Sequence, residues 1–336
     1  MRLSKQIGID LGTSTILVHV RGEGVVIFEP ALAALNQDGS RILAVGATAL
    51  EMVGRTPETM QVVRPLRDGV IADFVVTEAL LHHYISRIQG RRRLFKPEIM
   101  LCVPSGVTSV ERRAVIEAVM SAGARQAWLI DETLAAAIGA GLKIAEPRGQ
   151  AVCDIGGGTT EIAVISLSGL VVSGSVRSGG NRIDEAIVQH LRRRHNLIVG
   201  DRSAEGVKIA AGAAVREETE LSATVSGRDA LSGLPRRLTV GSHELVDAIA
   251  EPLADIVRGV RDVLEQTPPE LAADIFERGL MLTGGGALLR GLDRYVSMHT
   301  GLPVLVAEQA QTCVVRGTGL ALEEFEVLRR NQRYLR

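Results

Sequence analysis

Residues 7–20 (IGIDLGTSTILVHV) and residues 151–165 (AVCDIGGGTTEIAVI) carry one pattern twice. In each, an apolar run ends in an aspartate, a short turn of glycine and hydroxyl residues follows, and a second β-like run leaves the turn. Asp10-Leu11-Gly12-Thr13 corresponds to Asp154-Ile155-Gly156-Gly157. The pattern predicts strand, tight turn, strand in both places. Two such units, one domain length apart, predict a duplicated α/β fold with a ligand held between the halves.

The turns also limit the ligand. Gly156, Gly157 and Gly158 have no Cβ, so their backbone can approach a bound group closely. Successive N–H groups in such a turn form a concavity for an anion, and Thr159 and Thr160 add hydroxyl donors. Asp154 at the mouth of the turn can hold a hydrated divalent cation. Taken alone, residues 151–165 favour the phosphate reading but are also compatible with an ordinary glycine-rich hairpin. A third glycine turn, residues 282–289 (LTGGGALL), predicts strand, turn and helix, and a helix start also favours anions. None of the three matches GxxxxGK[ST] or GxGxxG, so neither a P-loop nor a dinucleotide fingerprint is present.

Composition excludes several classes. A net charge of −1 argues against a general nucleic-acid binder, and 3% aromatic residues against base-stacking platforms. Cys102, Cys153 and Cys313 sit far apart in apolar runs and read as buried reduced thiols, which fits the cytoplasm. The seven histidines form no HExxH and there is no CxxC, so no metal cage is predicted. The N-terminal residues carry no hydrophobic leader, and no apolar run approaches the length that spans a bilayer.

Between the turns, periodicity predicts a helix over 77–89, a buried strand over 99–103 and a helix capped by Ser109 running to about 122. Residues 128–141 read as a strand, the pair Asp131-Glu132, and a helix of small residues whose face permits close backbone approach. Glu132 is compatible with two roles: a favourable charge at a helix N-terminus, or a group that orients water against a phosphate. Further helices are expected from about 183 to 194, ending in the solvated run Arg192-Arg193-Arg194, and from Ser203 onward carrying Glu205 and Lys208. One long amphipathic helix is expected over 243–265, and a last one from about 317 to 335.

With the turns at 10–13, 154–161 and 282–289 and the carboxylate at Glu132, the chain resembles the actin-like ATPase superfamily. Within it, the phrases VRPLRDGVIADF (63–74), CVPSGVTSVERRAV (102–115), LIDETLAAAIGAGL (129–142), TPPELAADI (267–275) and MLTGGGALLRGLD (281–293) are similar to the MreB family of bacterial actins. The resemblance covers nearly the whole chain. It implies an α/β actin-like duplicated fold with two domains, each of a large and a small subdomain, flanking a nucleotide cleft. Domain I would be 1–145, with the 315–336 helix packing back on it and a small subdomain at about 31–66. Domain II would be 146–314, with a small subdomain at about 181–245. ATP and Mg²⁺ are the implied cofactors. Gly12, Thr13 and Ser14 would lie on one side of the phosphates, Gly156, Gly157, Gly158 and Thr159 on the other. Asp10 and Asp154 would face the metal through water, and Glu132 and Thr159 would position the hydrolytic water. Glu205, Lys208, Gly284, Gly285 and Gly286 would surround the adenosine. Thr15, Thr133, Gly206 and Ala211 depart from the residues usual in the family.

The resemblance further implies slow ATP hydrolysis, homopolymeric filaments, and a place on the inner face of the cell membrane beside the wall-elongation machinery. The loop Arg91-Arg92-Arg93-Leu94-Phe95-Lys96 offers the membrane contact: Leu94 and Phe95 would enter anionic lipid with the arginines at the headgroups. The same two side chains are also compatible with packing into the core. The competing functions are a small-molecule kinase and a chaperone-type ATPase of the same superfamily. The first would need a substrate pocket with its own base. The second would need a large peptide-binding domain after the last helix. Neither is visible in the chain.

Overall fold

A computed structural model describes residues 4–39, 41–67, 69–90 and 95–323. Ten strands build two five-stranded sheets. The first contains β1 (Gln6–Leu11), β2 (Thr15–Val20), β3 (Gly24–Pro30), β4 (Glu98–Val103) and β5 (Gln126–Asp131), in the order β5-β4-β1-β2-β3. The second contains β6 (Gln150–Ile155), β7 (Thr160–Ser166), β8 (Gly169–Val176), β9 (Leu280–Thr283) and β10 (Val304–Val306), in the order β8-β7-β6-β9-β10. In both, an antiparallel meander (β1-β2-β3, β6-β7-β8) continues through the first strand into two parallel strands. The repeat seen in the two aspartate turns is therefore a repeat of whole-sheet topology.

The central strands are near-continuous apolar runs because both of their faces are covered. Every residue of β4 and of β6 is buried. Smaller three-stranded sheets are inserted in each half. One is made of Ala33–Asn36, Ile42–Val45 and Met60–Val63, the other of Leu197–Ile198, Ser222–Asp229 and Pro235–Gly241.

Two helices lie between the sheets, Glu132–Gly139 and Cys313–Glu323. Leu134 and Ala135 to Ala137 of the first, with Val314, Ala321 and Leu322 of the second, pack against Met100 and Ile130 of one sheet and Val152 and Ala163 of the other. Glycine sets how closely they cross. A Cβ at Gly139 would collide with the Cys313 carbonyl, and one at Gly317 with the Ala135 carbonyl. Gly319 in turn lies against Gly8 of β1 and the His19 ring. The small-residue face expected of residues 132–139 is thus used for backbone-to-backbone packing.

Several boundaries differ from the sequence expectation. The helix Ser109–Ser121 is capped by Thr108, not Ser109. Thr108 Oγ1 accepts from Glu111 N at 3.2 Å, and Glu111 Oε2 accepts from Thr108 N at 2.7 Å, a reciprocal capping box. The helix carrying Glu205 starts at Asp201 after Gly200, so Ser203 lies inside its first turn. The amphipathic run 243–265 is two helices, Ser242–Ala248 and Ala250–Glu265, because Pro252 supplies no N–H to continue the first ladder. The last helix begins four residues early, at Cys313, and residues 324–336 of the expected helix lie outside the described residues. The helix expected from about 183 begins at Gly180, directly beneath the second glycine turn.

Candidate functional site

The two aspartate turns are closed by the same hydrogen bond. Gly12 N donates to Thr15 O at 3.0 Å, and Gly156 N to Thr159 O at 2.9 Å. They also face one another. A Cβ on Gly157 would collide with Ser14 Oγ, and one on Gly158 would come 2.9 Å from Thr13 Oγ1. The glycines of the second turn are required by the hydroxyls of the first. Asn181 ties the two together: Ser14 Oγ donates to its Oδ1 at 3.2 Å, and its own N–H donates to Gly157 O at 2.8 Å. The first turn is steadied from its other side, where Gly69 N donates to Thr13 Oγ1 at 3.1 Å. Gly157→Ala is expected to push the turns apart and to lower stability by about 1–3 kcal/mol in the range of over-packed sites, measured by denaturant unfolding; an unchanged midpoint would show that the turns part without cost.

Around this junction runs a cleft of about 420 Å³. All the cleft residues read from the sequence line it: Asp10, Gly12, Thr13 and Ser14 from the first half, Asp154 and Gly156 to Thr159 from the second, and Glu132, Glu205, Lys208 and Gly284 to Gly286 around them. At the third turn, Gly284 has φ +80° and Gly286 leaves no room for a Cβ beside Ile155, so both are held by the fold. Gly285 has no such neighbour and opens to the cleft.

Burial dominates the electrostatics. Asp10 is pushed up to about 7 by burial and then by the Asp154 charge, against a hydrogen bond from Cys102 Sγ at 3.3 Å. Asp154 is raised to about 6 by burial, while hydrogen bonds from Thr283 Oγ1 (2.7 Å) and Glu132 hold it down. Glu132 is raised well above the usual carboxylate range by burial first, then by Asp154, Glu161 and Asp10. Carboxyls crowded this way favour a cation among them. Among the described residues they do not form a set of three ligand atoms mutually within 4.8 Å. Asp10 and Asp154 are hard oxygen donors on the cleft, the donor type that suits Mg²⁺, an ion that keeps much of its water shell and so does not need a close set of protein ligands.

Glu132 stands in the first turn of its helix, where either role open to it remains available, but it does not cap that helix. The helix is capped by Asp131, whose Oδ1 accepts from Thr133 N at 3.2 Å, from Thr133 Oγ1 at 2.8 Å and from Ser105 Oγ at 2.9 Å. Thr133, one of the positions that depart from the family, is fully buried and serves this cap. Glu132 is left to face the cleft.

Lys208 lines the cleft, but its ammonium is engaged, at 2.9 Å from Asp184 and 3.1 Å from Gly180 O. Asp184 was not singled out from the sequence. Neither were Asn181, Gln311 and Arg290, nor the exposed apolar side chains Ile209 and Leu288 on the cleft rim. Ile209 did carry a signal: an isoleucine on the solvent side of a helix, directly after Lys208. The remaining calls lie elsewhere. Phe95 is 46% exposed, which removes it from the core, and Leu94 with Arg91 to Arg93 lies outside the described residues.

Paired sheets of identical topology, with their aspartate turns facing each other at a cleft between the halves, define a protein of the actin-like class. The double helical filament of MamK shares this fold with a TM-score of 0.81 at 23% identity, over 95% of this chain and 99% of that one. More specifically, the chain belongs to the MreB/Mbl protein family, whose model matches residues 4–330. The cell shape-determining protein MreB of Escherichia coli (strain K12) is 50% identical over 329 residues, 96% of this chain and 95% of that protein. The cell shape-determining protein Mbl of Bacillus subtilis (strain 168) is 46% identical over 325 residues, 97% of this chain and 98% of that protein. Among solved structures, MreB5 of Spiroplasma citri bound to ADP superposes with a TM-score of 0.92 at 38% identity, covering 98% of this chain and 99% of the other. The same protein bound to AMPPNP gives 0.93 at 37%.

Proposed function

We propose that this chain is an ATP-dependent bacterial cytoskeletal protein that assembles into filaments on the cell membrane and guides wall synthesis and cell shape. The observation that carries the reading is the facing pair of equivalent turns, one from each half, joined through Ser14 and Asn181. A triphosphate held there touches both halves at once, so it favours their closed arrangement by its differential affinity for that state. MreB5 of Spiroplasma citri, which has this fold, is solved bound to ADP and to AMPPNP, which supports an adenine nucleotide as the ligand. The chain divides for this purpose at about residue 145, with the helix from Cys313 returning to the first half.

In this reading the amides and hydroxyls of Gly12 to Ser14 and of Gly156 to Thr159 hold the phosphates from opposite sides. Asp10 and Asp154 hold Mg²⁺ through water, and the ion supplies neutralisation of phosphate charge. Glu132 and Thr159 orient the attacking water; positive charge beside Asp10 and Asp154 favours release to solvent of the proton that Glu132 shares with Asp154, which leaves Glu132 a carboxylate able to accept the water's proton. Glu205 and Gly284 to Gly286 enclose the adenosine, while Lys208 holds the wall of that pocket through Asp184. The closed subunit adds head to tail, and a heterologous contact that does not close into a ring extends into an open filament.

Phe95, with Leu94, inserts into anionic lipid on the inner face. Each buried apolar side chain contributes about 1.5–3 kcal/mol before ordering costs, so one subunit holds weakly and a filament firmly. Partners in the wall-elongation machinery follow from the family's role in cell shape. The test is sedimentation and electron microscopy with and without Mg²⁺-ATP, in solution and on vesicles with anionic lipid. A chain that stays monomeric at high concentration under all four conditions defeats the reading. In the same assay, Leu94→Ser/Phe95→Ser is expected to leave filaments intact and to reduce vesicle co-sedimentation; unchanged binding removes this loop from the membrane contact.

A further inference from the structure

Outside the cleft, two histidines and a glutamate meet at one point. His190 and His195 lie on the helix Gly180–His195, and Glu244 lies in the first turn of the helix Ser242–Ala248. His190 Nε2 is 2.7 Å and His195 Nε2 is 2.6 Å from the same atom, Glu244 Oε1. Among the described residues this is the one group of three metal-capable side chains whose ligand atoms all lie within 4.8 Å of one another.

We propose that His190, His195 and Glu244 form a binding site for a borderline divalent transition metal of the Zn²⁺ class. Two imidazoles and one carboxylate are the donor set such ions take, and an open fourth position is left for water. The geometry is nearly in place. Ligand atoms on a tetrahedron with bonds of about 2.1 Å are roughly 3.4 Å apart, so each present nitrogen–oxygen gap need open by only about 0.7 Å. Rotation of the Glu244 side chain supplies that movement. The three side chains are 21%, 23% and 30% exposed, enough to admit an ion from solvent without leaving the donors loose.

Hard cations do not compete well here. Mg²⁺ prefers oxygen ligands and an octahedral shell, so the histidine pair selects against it. Nor does the site coincide with the cleft. The helix starts at the second glycine turn, and the histidines occupy its last turns, roughly 15–22 Å of helical rise away. The metal would join the end of that helix to the element following the strand Pro235–Gly241, adding a further link between two helices whose buried Leu191 and Leu245 already share one core. The proposal stands whether or not the cleft hydrolyses ATP.

The decisive measurement is titration of the intact chain with Zn²⁺ against a chromophoric chelator, in excess Mg²⁺ so that the cleft carboxylates are satisfied. One equivalent is expected to bind with micromolar or tighter affinity and to raise the unfolding midpoint. His195→Gln and Glu244→Gln should each weaken it at least tenfold, and Co²⁺ in place of Zn²⁺ should give visible d–d bands that the same variants remove. Circular dichroism of each variant separates loss of the site from loss of the fold, and His190→Gln provides a second independent ligand deletion. Absence of stoichiometric binding to the parent chain overturns the proposal, as does binding that both folded histidine variants retain.

Discussion

Glu132→Gln is expected to slow phosphate release from bound ATP by about 10²–10⁴-fold, the usual worth of a positioned proton acceptor, while leaving nucleotide affinity near that of the parent. The substitution keeps the volume and the hydrogen bond toward Asp154. It removes only the ability to take a proton. Because burial and then the neighbouring carboxylates raise Glu132 well above the usual carboxylate range and so favour its neutral acid in the nucleotide-free chain, the amide is a close substitute there. Thermal stability without nucleotide should therefore hardly move. That second readout separates chemistry from folding: Asp131, not Glu132, caps the helix, so the helix start is untouched. Single-turnover phosphate release at the parental rate would assign Glu132 a structural role and leave hydrolysis without an identified acceptor.

A second large effect is expected in the pH dependence of the nucleotide-free chain. Asp10, Asp154 and Glu161 are raised from 3.8, 3.8 and 4.5 to about 7, 6 and 7, in each case chiefly by burial. In this window the folded state keeps protons that the unfolded chain has released. Stability from these groups is fully present below about pH 4 and is lost as pH rises through 6 to 7, by up to about 1.4 kcal/mol per pH unit for each proton of difference. In EDTA, the unfolding midpoint should fall between pH 5 and pH 8. With saturating Mg²⁺ and nucleotide the slope should flatten in part, because Asp10 and Asp154 then face a cation, while Glu161, which does not line the cleft, keeps its share. A midpoint that rises over this range without metal would mean that these carboxyls are charged and otherwise compensated.

That the two aspartate turns line one cleft was legible in the sequence because their pattern is local. Asp10 and Asp154 each stand two residues before the glycine of their own turn, and no tertiary information is needed to see a strand ending there. The capping box was also written locally, since Thr108 and Glu111 have the required three-residue spacing; Ser109 simply sits beside it. What could not be read depends on contacts distant in sequence. Asn181 looks like an ordinary turn residue until Ser14, 167 positions away, donates to it. Lys208 looks like a free cation beside an adenosine until Asp184 takes its charge. The histidines showed no metal spacing because their third partner, Glu244, is supplied by another helix. The break at Ile249 follows from Pro252 acting against a strong amphipathic period, a conflict between two local rules that only packing resolved.

The helix Gly180–His195 has a further consequence. Its first amides are bonded to the second glycine turn, Gly180 N to Gly156 O at 2.9 Å and Asn181 N to Gly157 O at 2.8 Å. Its other end carries Arg192, Arg193 and Arg194 at the surface. Sixteen residues of helix form a rod of about 24 Å, seated in the core by Ile183, Ile187 and Leu191 and held near its far end by the contacts of His190 and His195 with Glu244, so movement at the turn is shared with those elements. A tilt of about 5° at the turn, which shifts the local backbone by a few tenths of an ångström, carries the arginine end through roughly 2 Å. That travel is comparable to the distance over which a side-chain contact is made or lost. If a phosphate binds at the turn as proposed, its presence or absence would be passed along this helix to the outer face of the molecule.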